Sequence, residues 1–139
     1  MPTDLEITSF TDAIAAAFGV RGRFKFGHGV ALLGSAGQVL DITMFTDKRL
    51  HTIDTALNWA ACLVGEFEEC ERLVLFTAYK SGVAGELREA DVELLRAARS
   101  RFAEHGVLVV DWLQCDGNVV RSIDLASDGE GWRLAAAVT

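Results

Sequence analysis

Apolar residues recur along this chain in two rhythms. Steps of three and four place Phe10, Ala13, Ile14, Ala17 and Phe18 on one stripe, and Ser9 with Asp12 makes an approximate capping box ahead of it. This predicts a short N-terminal helix over about residues 9–18, stopped by Gly19, with Val20-Arg21-Gly22-Arg23 as a basic tether. Apolar stretches from Phe24 to Leu33 and from Gln38 to Phe45 flank Gly34-Ser35-Ala36-Gly37, the composition of a hairpin loop, so two antiparallel strands are expected. The helical rhythm then returns. Ile53, Ala56, Leu57, Ala60, Leu63, Val64 and Phe67 form a broad stripe over residues 52–67, with Asp54 in the first turn, where the helix dipole favours a carboxylate.

Leu73-Val74-Leu75-Phe76-Thr77-Ala78-Tyr79 is apolar without alternation, which suits a strand covered on both faces. A flexible Ser81–Gly85 loop follows, and Val92, Leu95, Ala98, Arg99 and Phe102 carry a further helix over residues 88–104, stopping at His105-Gly106. Val107 to Gln114 reads as a strand, Asp116-Gly117-Asn118 as a tight turn, and Val119 to Ile123 as the returning strand. For the tail, residues 126–139, periodicity leaves a last strand and a frayed helix equally open. The order of elements fits a three-layer α/β domain, a mixed sheet flanked by helices, with its core over about residues 24–125 of a single domain spanning residues 1–139.

Composition narrows the class. A chain of 139 residues that is half apolar can bury one sizeable core, and no apolar run approaches the ~20 residues of a spanning helix. The start, Met1 to Glu6, has no basic stretch leading into an apolar one, and Cys62, Cys70 and Cys115 show no paired spacing, so a cytoplasmic protein with reduced thiols is expected. The formal charge of −7 repels a phosphate backbone, which argues against nucleic acid as a partner, and nothing points to a membrane.

Common catalytic signatures are missing. Gly27-His28-Gly29 lacks a third glycine and precedes a strand, and there is no phosphate loop, no G-x-S-x-G and no H-E-x-x-H. The informative stretch is residues 72–91: a buried strand, the turn Thr77-Ala78-Tyr79-Lys80-Ser81-Gly82, a loop, and Arg88-Glu89-Ala90-Asp91 opening a helix. With Gly106 to Trp112 and the hairpin Asp116 to Ser122, this layout resembles the RadC-like branch of the JAB/MPN metalloprotease superfamily, whose strand delivers H-x-H-P-S-G and whose next helix begins S-x-x-D. The likeness extends back over the hairpin and helix of residues 28–67.

The resemblance implies a cytidine-deaminase-like general architecture and a place for a zinc site. Carried over by position, the two histidines fall on Thr77 and Tyr79, the proline on Lys80, the serine on Arg88 and the metal aspartate on Asp91, while Ser81-Gly82 match the family's turn. The upstream glutamate falls around Phe45 to Asp47, where Asp47 is the nearest acid. A hydroxyl and a neutral phenol are poor zinc ligands, and one carboxylate does not hold the ion. The expectation is therefore a pseudoenzyme with no metal and no cofactor, its vestigial site made of Thr77, Tyr79, Ser81, Arg88 and Asp91, acting through a protein partner or as a homodimer. Two rivals are a hydrolase with a rearranged site using Asp91, Asp47 and His51, and a DNA-repair-associated protein.

Each of these residues also has a plain structural role open to it. Asp91 can serve the helix dipole or pair with Arg88, and Thr77 and Tyr79 can line either a shallow pocket or a filled cleft. His28, His51 and His105 lie apart with no ligand spacing. Trp59 and Trp112 are expected to pack in the core. Trp132, after Gly129-Glu130-Gly131, is expected to be partly exposed and an interface candidate.

Overall fold

Unalternating apolar sequence belongs where both faces of a strand are covered, and the chain places two such segments at the centre of its sheet. The structure is a computed structural model that describes residues 6–21, 27–45, 53–79, 87–116 and 119–136. Its elements, in chain order, are α1 (Phe10–Arg21), β1 (Gly27–Leu33), β2 (Val39–Phe45), α2 (Ile53–Glu66), β3 (Arg72–Tyr79), α3 (Glu89–Ala103), β4 (Leu108–Asp116), β5 (Val119–Ser122), α4 (Ile123–Ala126) and α5 (Glu130–Ala136). The strands form one open mixed sheet in the order β2-β1-β3-β4-β5. β3 and β4 are parallel, joined through α3, and the other neighbours are antiparallel.

Alternate strand residues feed two separate cores. Val30, Leu32, Leu73, Leu75, Val109 and Trp112 pack with Leu57, Ala60 and Val64 of α2 and with Leu95, Ala98 and Phe102 of α3. On the opposite face Ala31, Leu33, Val74, Phe76, Val110 and Leu113 pack with Ala13, Ala16 and Ala17 of α1 and with Trp132 and Ala135 of α5. The α/β architecture expected from the element order is thus present, with helices on both sides of the sheet. Each fully buried Leu or Phe side chain contributes about 1.5–3 kcal/mol by leaving water.

Two local features set the register. The β1–β2 loop closes with Gly37 N–H to the Gly34 carbonyl, 3.0 Å, and Gly37 has φ +84°, a conformation that favours glycine. A bulge in β4 pairs Leu73 with Val109 but Val74 with Asp111, so Val110 is the extra residue and both Val110 and Asp111 face the α1/α5 side.

Several expectations need correction. α1 runs past Gly19 to Arg21, so Val20 and Arg21 belong to the helix; an interior glycine weakens a helix by about 1 kcal/mol relative to alanine without breaking it. The start of α1 is capped by Ser9 Oγ accepting from Asp12 N–H at 3.2 Å, while Asp12 reaches back to Thr8 N–H at 3.1 Å, one residue earlier than a capping box. Asp116 belongs to β4 rather than to the turn. The returning strand stops at Ser122, with Ile123 opening the short helix α4, and the undecided tail forms the helix α5. Trp132 is 6% exposed, not a surface residue: its ring lies in the α1/α5 core and its Nε1 donates to Asp111 at 2.7 Å.

That last contact belongs to a buried polar lock. Asp111 Oδ1 accepts from the backbone N–H groups of Trp112 and Asp124, and Oδ2 from the Ser122 hydroxyl and the Trp132 indole. Asp124, fully buried, accepts from Gly131 N–H and Trp132 N–H in the first turn of α5 and pairs with Arg99 at 2.6 Å. Arg99 also donates to the Val109 and Val110 carbonyls on the stretch of β4 that the short β5 does not reach. Burial pushes the Asp111 carboxyl up despite its four donors.

Candidate functional site at the carboxyl end of the parallel pair

Open sheets with parallel strands present ligand sites beyond the carboxyl ends of those strands. β3 and β4 are the parallel pair here, and on the α2/α3 side their side chains change character along their length. Val30, Leu75 and Trp112 form an apolar row across β1, β3 and β4. One step further the register aligns His28, Thr77, Gln114 and Arg121 across β1, β3, β4 and β5. A polar row follows an apolar one, and it is there that chemistry can take place.

Thr77 is buried and already engaged. Its Oγ1 accepts from Trp112 Nε1 at 2.7 Å and lies 3.0 Å from His28 Nδ1. An indole only donates, so the hydroxyl keeps its one proton for the imidazole, which satisfies both atoms when His28 carries its own proton on Nε2. Beside them His28, Ala56, Leu57, Trp59, Phe76 and Trp112 line a shallow, mostly apolar cleft with room for about one water.

Asp91 acts on its own helix. Its Oδ2 accepts from Arg88 N–H at 2.8 Å, capping α3, and lies 4.0 Å from the Arg88 guanidinium, whose side chain is largely exposed. The ion pair anticipated for these two residues is therefore present, at the weak end of the range. Tyr79 ends β3 opposite Asp116. Ser81, Asp47 and His51 lie outside the described residues. Among the described residues no group of three or more His, Cys, Asp or Glu stands close enough to hold a metal ion. Cys62 is exposed and Cys70 and Cys115 are buried, and none of the three is in a disulfide.

His28, Gln114 and Arg121 escaped the sequence reading. His28 is the second residue of β1, and nothing in the sequence ties it to Thr77 until β1 is known to pair with β3. Gln114 carried a faint local signal, as a lone amide inside an apolar strand. Arg121 had none beyond its place in the returning strand. No family model matches this chain, and no curated protein matches it significantly.

Proposed function

We propose that this chain is a catalytically inactive domain of JAB/MPN-like layout that works through protein contacts, as a scaffold or by self-association. The state of Thr77 carries the reading: at the position where the resembling family has its first histidine, a neutral hydroxyl is consumed by an indole and an imidazole. Asp91, the one matching ligand type, caps a helix instead. A zinc-activated water needs several good ligands and an open position, and this donor set supplies one carboxylate that is already occupied. Support for a contact role comes from the surface of the C-terminal third, where Val119, Leu125 and Leu134 are 50%, 51% and 43% exposed.

Two measurements test it. Purified protein is expected to hold well under one equivalent of zinc by elemental analysis and to keep its thermal stability in chelator. Stoichiometric zinc that is lost in a Thr77→Ala/Asp91→Ala variant overturns the reading. Light scattering on the wild type is expected to show a dimer that Leu125→Asp/Leu134→Asp converts to monomer, and a strictly monomeric wild type removes self-association.

A further inference from the structure

Two polar atoms in the described core have no partner: the Gln114 amide oxygen and Arg121 Nη1. Gln114 is 4% exposed, and the two residues are direct neighbours across β4 and β5. A buried acceptor or donor left unmatched costs about 1–3 kcal/mol, and more when charged. Two of them side by side describe a site whose complement the chain does not itself supply. They lie at the end of the polar row, past Thr77, whose oxygen is already used.

Both atoms are closed off from solvent, and the pair lies next to the sheet edge. β5 is the last strand, Arg121 is only half-buried, and among the described elements β5 packs mainly on β4 and, on the other face, on α1. No described helix on the α2/α3 side closes over Arg121 to a comparable extent. The complement must bring an acceptor to a guanidinium and a donor to an amide oxygen. The planar guanidinium matches a carboxylate. A dianion is disfavoured, because Arg121 is the one permanent cation of the row and the buried Asp116 follows two residues beyond Gln114 on the same side of β4.

We propose that Gln114 and Arg121 bind the carboxylate of an N-acylated amino acid, either free or as the last residue of a polypeptide. The carboxylate accepts from Arg121 Nη1, and the N–H two bonds from the carboxyl carbon donates to the Gln114 oxygen. In its polypeptide form this gives the binding role proposed above its recognition element and rests on that reading; in its free form it stands independently.

The test is an NMR titration of the full chain, following the Gln114 side-chain amide and the Arg121 Nε resonances. The probes are N-acetylglycine, N-acetylglycinamide, and the tripeptide acetyl-Ala-Ala-Gly as free acid and as amide. The free acids are expected to shift both resonances saturably, and the amides to bind at least about tenfold more weakly, as loss of a charge-assisted hydrogen bond implies. Arg121→Gln and, separately, Gln114→Leu are each expected to weaken the acids by about tenfold or more. Melting temperatures are expected to be close to wild type, since the Gln114 amide oxygen and Arg121 Nη1 have no internal partner to lose. Absence of saturable shifts with both acids, equal binding of acid and amide, or an affinity unchanged in Arg121→Gln overturns the proposal, as does an ordered water joining the two residues in a protein that binds no probe. Binding of the tripeptide acid alone assigns the polypeptide source, and of N-acetylglycine alone the free one. Zinc content is measured separately, so a metal-loaded protein that still binds N-acetylglycine refutes the inactive reading while keeping this site.

Discussion

Trp112 donates its indole N–H to Thr77 inside the core, so the hydroxyl has a measurable structural worth. Thr77→Val keeps the shape and removes the acceptor. It is expected to lower stability by about 1–3 kcal/mol in urea denaturation, while Thr77→Ser stays near wild type; a valine variant as stable as wild type would show that the contact contributes nothing. Asp111 offers a second test, through pH. Burial raises its carboxyl, against the pull of Ser122, the Asp124 amide, Trp132 and the Trp112 amide. The folded state therefore holds this proton more tightly than the unfolded chain does. The residue's contribution is fully present below the unfolded pKa of about 3.9 and is lost as pH rises through the raised folded value. Asp12, held below its ordinary value chiefly by the Thr8 amide, has the opposite sign: its contribution is present above the unfolded value and is lost as pH falls through the lowered one. Comparing wild type with Asp111→Asn by urea denaturation across a pH series isolates the first effect. The wild type is expected to lose stability relative to the variant as pH rises through that window, and a difference flat in pH would show that Asp111 ionises equally in both states.

The C-terminal helices show how far local sequence can be read. The longer helices α2 and α3 and the strands β1 to β4 are legible because each carries a helical stripe or an apolar stretch over seven or more residues. α4 and α5 have four and seven residues, too short to hold together alone. They exist because Asp124 caps the first turn of α5 and because Asp111, twenty-one residues before Trp132, receives its indole. No local pattern reveals a partner at that separation, and this is why Trp132 reads as exposed from its neighbours and is buried in the fold. The same limit hid three of the four members of the polar row: Thr77 stands out in its own strand, but His28, Gln114 and Arg121 join it only once strand order is known. Gly131 shows how closely α5 is seated. A Cβ there would lie 1.8 Å from the Val110 carbonyl oxygen and 2.5 Å from Arg99 Nη2. Gly131→Ala is expected to unseat α5, costing more than about 3 kcal/mol and altering Trp132 fluorescence, whereas Leu134→Ala on the exposed side changes stability by less than about 0.5 kcal/mol. Equal effects of the two would show that α5 is only loosely attached.

Taken as one body, the molecule is a sheet whose central strands serve two cores and whose edge strands serve them less. Amide exchange is expected to be slowest in β3 and β4 and faster in β2 and β5; protection highest in an edge strand would contradict this layering. The bulge at Val110 governs which side of β4 belongs to which core, sending Trp112 toward α2 and α3 and Asp111 toward α5. Strands count in twos. Deleting the single residue at position 110 would therefore remove only the irregularity: Val109 and Asp111 would alternate plainly, and Trp112 to Asp116 would keep the faces they have. Val110 is thus where this strand can lose a residue without turning over, whereas the loss of one residue between Trp112 and Cys115 would send all that follow it in β4 to the opposite face.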